Sequence, residues 1–195
     1  MNYLAHIYLA DNSAESMLGN LLGDFVHRSE DDNFEASIRN GILMHRKLDG
    51  FTDSHLVFLN SKNRISSQNR RFAGALIDMF YDHFLAKNWS LYSPLSLEEY
   101  TDNFYSILER FYNCLPERLK NVIPSMIKEN WLLSYREIAG IEKALGRLSK
   151  KFSILDHSLI DAIDELTKNY EGFEGDFKAF FPEAIEYSNK LKAAC

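Results

Sequence analysis

Leu43-Met-His-Arg-Lys-Leu-Asp-Gly-Phe-Thr-Asp53 is the stretch whose reading decides the fold. His45 and Asp49 are four residues apart, as are Asp49 and Asp53, so on a helix all three stack along one face. Phe34, Ile38 and Ile42 occupy the same stripe upstream, and the apolar seam they begin turns ionisable halfway along. A solvent-facing helix carries its charges opposite such a seam. Charges placed within it point to a buried, partnered His–Asp pair, and a metal ion is a common partner for those two side chains together.

The helical pattern extends outward in both directions. Only nine glycines and four prolines punctuate the 195 residues, 46% of the chain is apolar, and most segments repeat every 3.6 residues. That favours an all-α fold, a single-domain helical bundle over residues 1–195. Residues 1 to 10 are open between an extended segment and a first helical turn. They carry His6 among apolar neighbours, where one backbone partner would satisfy an ordinary core histidine. Asn12 with Glu15 resembles a capping box opening a helix to about residue 28. Leu18, Leu21, Leu22, Phe25 and Val26 form its buried face, and Gly19 and Gly23 form a strip that lets a neighbour come close. Asp24 sits by that strip at the negative end of the helix dipole, a mild misfit that points to a functional role. Ser29 to Asn33 reads as a solvated acidic loop, and the helix bearing the opening motif spans about 34 to 50, with Gly50 as its break.

Downstream, Arg71 to Ala86 reads as a helix with Ala73, Leu76, Ile77, Phe80, Tyr81 and Phe84 on a broad core face. Asp78 and Asp82 stand four apart on its flank, and His83 follows. Two carboxylates on an otherwise apolar helix are costly unless paired or coordinated, which points to a metal or to catalysis. Between the two motifs, His55 to Ile77 contains no acidic residue, whereas Lys62, Arg64, Arg70 and Arg71 are basic. In a chain of net charge −6 that local reversal suits either a solvated segment or an anionic partner.

Further helices are expected over 97–113, capped by Ser96 and Glu99; from Pro116, bent by Pro124; and after Ser134, capped with Glu137 and striped by Ile138, Ile141, Leu145 and Leu148. Two more fall near 156–170 and 175–192, the last disturbed by Pro182. Five of the six histidines precede residue 84, and His157 stands alone. The first half therefore reads as the site and the second as scaffold and partner surface.

The acidic balance argues against a general nucleic-acid binder, since phosphate binding relies on clustered Lys and Arg. Cys114 and Cys195 resemble neither a disulfide framework nor a thiolate metal site, which fits a reducing cytoplasm. The first ten residues lack a basic leader, and no run approaches the roughly 20 apolar residues of a membrane-spanning helix.

His6, Asp24, His45, Asp49, Asp53, Asp78, Asp82 and His83 are thus the candidate set, drawn from at least three segments as in helical metal centres. Mixed imidazole and carboxylate donors suit Mn²⁺, Fe or Zn²⁺ better than Ca²⁺. With no phosphate-cradling glycine loop and no Gly-x-Ser-x-Gly elbow, metal-assisted hydrolysis leads the reaction classes.

Asn2-Tyr-Leu-Ala-His6, Gly19-Asn-Leu-Leu-Gly-Asp-Phe25, Met44-His-Arg-Lys-Leu-Asp49 with Thr52-Asp53, and Asp78-Met-Phe-Tyr-Asp-His-Phe-Leu85 together resemble the acyl carrier protein phosphodiesterases. The likeness extends through Ser134-Tyr-Arg136 and Phe180-Phe-Pro182. That family resembles a divergent branch of the helical HD-domain phosphohydrolases, although the usual adjacent His-Asp pair is missing: Arg46 follows His45, and the one adjacent pair is reversed, Asp82-His83. The resemblance implies an HD-domain-like fold and hydrolysis of the phosphodiester joining 4′-phosphopantetheine to a serine of acyl carrier protein. It also implies a divalent metal, Mn²⁺ first, with Mg²⁺, Fe²⁺ or Zn²⁺ as alternatives. On this reading His45, Asp49 and Asp82, then Asp24 and His6, are the expected ligands. Asp78 is expected to bind metal, orient a ligand or transfer protons, Arg46 to meet the phosphate, and His83 to protonate the departing serine oxygen. Lys62, Arg64, Arg70 and Arg71 would face the acidic carrier protein. Two other readings stay open: an HD-like phosphohydrolase of a nucleotide or another small phosphodiester, and a non-catalytic helical module that binds an acidic protein.

Overall fold

The computed structural model describes residues 1–151 and 159–194; His157 and Cys195 lie outside them. Among the described residues the secondary structure is helical, with no strands. In chain order the α-helices are α1 Tyr3–Leu9, α2 Ala14–Leu22, α3 Ala36–Ser54, α4 Leu56–Arg64, α5 Ala73–Lys87 and α6 Leu97–Arg110, followed by the short α7 Glu117–Lys120, α8 Ile123–Lys128 and α9 Trp131–Ser134, then α10 Ile138–Lys151, α11 Ile163–Lys168 and α12 Tyr170–Ala193. No helix among these residues is long and apolar enough to cross a membrane.

Helix α5 is the axis. From Leu76 onward nearly every side chain is buried, including Asp82 and His83, and α1, α4, α10 and α12 pack around it. A helix apolar all round belongs in the middle of a bundle. One flank of the core is aromatic: Phe180 of α12 contacts Phe51, Phe58 and Tyr81, while Phe177 contacts Tyr81, Phe84 and Tyr92. Pro182 costs α12 one backbone hydrogen bond, yet the helix continues through it because Phe180, Phe181 and Ala184 on either side are anchored in that core.

Helices α2 and α3 pack most closely. A Cβ on Gly19 would lie 2.2 Å from the Ile38 carbonyl oxygen and 2.8 Å from Gly41 Cα, so the two backbones meet where a side chain is absent. This is the close approach expected of the glycine strip. Several predicted boundaries shift for local reasons. Ser13, not Asn12, caps α2, its hydroxyl accepting from Ser16 N–H, and the helix ends at Leu22 rather than near 28. Gly50 does not break α3, which runs on to Ser54; His55 then caps α4 through Nδ1. Ser134 closes α9 instead of capping α10, its hydroxyl donating to the Trp131 carbonyl. The expected 97–113 helix ends at Arg110, and Pro124 starts α8 instead of bending one longer helix. The Ser96–Glu99 capping box forms as the sequence indicates.

Candidate metal centre

His6 comes from α1 and His45 and Asp49 from α3, and all three bring a donor atom within 4.8 Å of one another. His6 Nε2 lies 3.0 Å from Asp49 Oδ1, and His45 Nε2 lies 3.0 Å from Asp49 Oδ2. The two imidazoles stack, with centroids 3.8 Å apart. Gly23 makes room for this arrangement, because a Cβ there would sit 2.2 Å from the His45 ring. Asn20, one turn earlier on α2, fixes the ring's orientation: its carbonyl oxygen lies 2.7 Å from His45 Nδ1. A carbonyl can only accept, so Nδ1 carries a proton and Nε2 is the nitrogen left facing Asp49.

Lone pairs therefore converge from three sides. His6 is fully buried, and neither of its ring nitrogens has an aligned hydrogen-bond partner. Burial, then the neighbouring His45, lowers the His6 pKa to about 3, so its ring is neutral at physiological pH. Burial alone would raise the Asp49 carboxyl, but His45 and His6 outweigh it and hold Asp49 below the usual carboxylate range. Two imidazoles and one carboxylate, with the buried His6 nitrogens left without hydrogen-bond partners, fit a divalent cation. Asp49 keeps 41% of its side chain exposed, so one side of the cluster stays open. An open position is what a catalytic ion needs and a structural one lacks.

The remaining candidates have other places. Asp82, expected as a ligand, is fully buried and accepts from Leu4 N–H at 2.8 Å and Ala5 N–H at 3.0 Å. Its carboxylate thus caps α1, the helix that carries His6. Burial pushes its pKa up to about 7, against the pull of those two N–H groups. Asp78 points to the neighbourhood of the cluster: Oδ1 is 2.8 Å from the Met1 amino nitrogen, which is 3.8 Å from Asp49 Oδ1. Burial raises its carboxyl despite that amino group. Asp24 and Asp53 are exposed and stand outside the converging set. His83 faces away from it, with Nδ1 2.8 Å from the Tyr135 carbonyl and Nε2 2.8 Å from the Tyr170 hydroxyl, so both nitrogens are engaged in holding segments together.

The expected basic contacts also divide. Arg46 forms a bidentate pair with Asp31 at 2.5 and 2.8 Å, and the guanidinium holds the Asp31 carboxyl low. It thereby anchors the 3₁₀ turn Arg28–Asn33, which the sequence reading took for a solvated loop, and its fork is occupied. Arg64 is paired with Asp176 at 2.8 Å, and Arg70 donates to Asn63 and to the Lys62 carbonyl. Lys62 lies over the Phe58 ring, and Arg71 over Phe72.

Beside the cluster opens a cavity of about 480 Å³. Met1, Asp24 and Asp78 line its near side, while Arg118, Val122, Trp131, Tyr135, Ala144, Arg147 and Leu148 of the second half form its far wall. The sequence reading missed those residues and Asn20. The one available signal was Arg147, set next to the Leu145–Leu148 stripe of α10.

The family model described as acyl carrier protein phosphodiesterase matches residues 1–184. The chain belongs to the acyl carrier protein phosphodiesterase family. Relatives bearing that name include proteins of Photorhabdus laumondii, 30% identical over 100% of this chain and 98% of its own length, and Klebsiella pneumoniae strain 342, 33% identical over 95% and 96%. A relative of the same name in Enterobacter sp. strain 638 is 32% identical over 97% of this chain and 99% of its own. No solved structure matches. In this acyl carrier protein phosphodiesterase family member, the sequence-stated motifs around His6, His45 and Asp49 are the ones the fold brings together.

Proposed function

We propose that the chain hydrolyses the phosphodiester between 4′-phosphopantetheine and a serine of acyl carrier protein, releasing apo carrier protein and 4′-phosphopantetheine, and that His6, His45 and Asp49 hold the divalent cation this requires. The family membership supports the reaction, and the convergence of two imidazoles, that of His6 with unpartnered ring nitrogens, on one half-exposed carboxylate is the observation that carries the site. When bound, such a cation acidifies water towards neutral pH and stabilises charge developing on phosphate oxygens. Mn²⁺ is the proposed ion, with Mg²⁺, Fe²⁺ or Zn²⁺ as alternatives, because the donor set is imidazole and carboxylate without thiolate.

The chain's own groups supply the rest. Asn20 locks the His45 tautomer, Gly23 leaves its ring space, and Asp82 seats the start of α1 so that His6 reaches Asp49. Asp78, raised by burial and set between the cluster and the cavity, is placed to hold the proton that the departing serine oxygen needs. The half-buried Lys62 and the exposed Arg70 and Arg71 offer an acidic carrier protein its contact surface; Arg71 precedes by one turn Ala75, which lines the cavity. The exposed, free Cys114 supports a reducing cytoplasmic setting.

Mass spectrometry of holo carrier protein after incubation tests the proposal. With added Mn²⁺ the carrier protein should lose the mass of 4′-phosphopantetheine less one water, and chelator should block that loss. An unchanged mass under both conditions defeats the reading. Cleavage of generic phosphodiesters alone would favour a small-molecule phosphohydrolase instead.

A further inference from the structure

We infer that the cavity beside the ion site is the chamber for the pantetheine arm, with Arg147 donating to one of the arm's amide carbonyls. The inference rests on the phosphodiesterase reading above. It begins from continuity: Met1 and Asp78 line the cavity and also adjoin Asp49, so a phosphate at the ion site would direct its substituent into this space.

The wall selects the chemistry of the occupant. Phe25, Met79, Val122, Trp131 and Leu148 present apolar surface, and about 480 Å³ lies within the range of chambers that enclose small ligands. Asp24 and Asp78 stand on the near side, so an arm carrying further negative charge would be repelled. On the far side the Arg147 guanidinium stacks 3.9 Å over Trp131, and Nη1 donates to Glu129 at 3.4 Å. Its Nη2 is buried with no acceptor. A buried guanidinium donor left unpaired is costly, and here the charge already faces Glu129. The missing partner is therefore a neutral acceptor. A pantetheine arm is slender and uncharged, with two amide carbonyls separated by apolar groups, which matches this lining.

The remaining contacts hold the wall in register. Asn130, in the left-handed region at φ 43°, caps α9 through its side chain and sets the position of Trp131. His83 holds the backbone of Tyr135 from α5. Both are positioning residues for the chamber.

Pantetheine itself, which lacks the phosphate, is the probe, titrated calorimetrically into the full chain in the presence of chelator. Saturable binding is expected. Arg147→Met and Arg147→Lys should each weaken it at least tenfold, the second while keeping charge and stem over Trp131, and Ala144→Phe should abolish it by filling the space. Thermal melts accompany each variant so that the loss is read on folded protein. No binding by the wild-type chain, or equal binding by all four proteins, overturns the inference. Hydrolysis of holo carrier protein is measured in parallel: cleavage with Arg147-indifferent binding fells the arm chamber alone, whereas Arg147-dependent binding without cleavage supports the chamber and fells the phosphodiesterase reading.

Discussion

On α3, His45 and Asp49 stand one helical turn apart and share a face; on α5, Asp82 and His83 are consecutive and diverge by about 100° around the helix. The first pair converges, with His45 and His6 each bringing Nε2 to 3.0 Å from Asp49, and leaves a side open. The second pair splits: Asp82 turns to the backbone of α1, and His83 turns to Tyr135 and Tyr170. His45, Asp82 and His83 are buried and Asp49 is half-exposed, yet only the first pair keeps donor atoms unspent for the proposed cation. What separates a site from a brace is whether hydrogen-bonding capacity is already used, not residue type or burial.

The largest expected effect lies in that contrast. Asp49→Ala should cut turnover by about 10³-fold or more, close to 4 kcal/mol, through loss of the cation. It should also abolish the cation-induced stabilisation, about 2.7 kcal/mol at a hundredfold excess over Kd, read from urea unfolding with and without Mn²⁺. Asp82→Asn should keep that stabilisation while losing roughly 1–3 kcal/mol of baseline stability, because buried N–H groups of α1 lose part of their acceptor. An Asp82→Asn protein as stable as the parent but unable to respond to cation would erase the distinction between the two helices.

Gly23→Ala sharpens the α3 side. The added methyl runs into the His45 ring, so cation affinity should fall by about 10- to 100-fold with the three ligands intact, measured by competition with a chelating dye. Unchanged affinity would mean that the ring is not seated by this contact.

The α5 side is sharpened by pH. Burial lowers the His83 pKa, helped by Lys87 and opposed by the Tyr135 carbonyl, Glu137 and Glu174. The unfolded chain therefore takes up a proton below about pH 6.5 that the folded chain refuses, and His83's contribution is fully present above that pH and lost as pH falls through it. His83→Gln should remove this component, whose slope is at most about 1.4 kcal/mol per pH unit, so urea midpoints at pH 7.5 and 5.5 should differ less than in the parent. A smaller effect is expected at Gly50 of α3, where a Cβ meets nothing within 4 Å. Gly50→Ala should stabilise by about 0.5–1 kcal/mol, visible as a raised Tm with cation binding unaltered.

Legibility followed the range of the interaction. The 3.6-residue pattern announced the helices now seen at Ala36–Ser54 and Ala73–Lys87, although it stopped the first at Gly50, and the i, i+4 spacing put His45 and Asp49 on one face. The Ser96–Glu99 box was readable because capping is local. The contacts of Asp82 were not legible, because a carboxylate on a buried helix looks the same whether it faces a metal or two backbone N–H groups 77 and 78 residues away. Arg46 carried a phosphate-binding fork, and nothing near it in sequence announced that Asp31 would fill that fork.

By itself, then, the sequence determined the helices, the apolar axis and the chemistry available at His6, His45 and Asp49, since periodicity and side-chain type are properties of short stretches. Tertiary structure alone decided which carboxylate meets the two imidazoles and how the second half of the chain, through Trp131, Ala144 and Arg147, becomes the far wall of the cavity. Those outcomes depend on which donors and acceptors helix packing leaves unpaired, and pairing is settled only when distant segments meet.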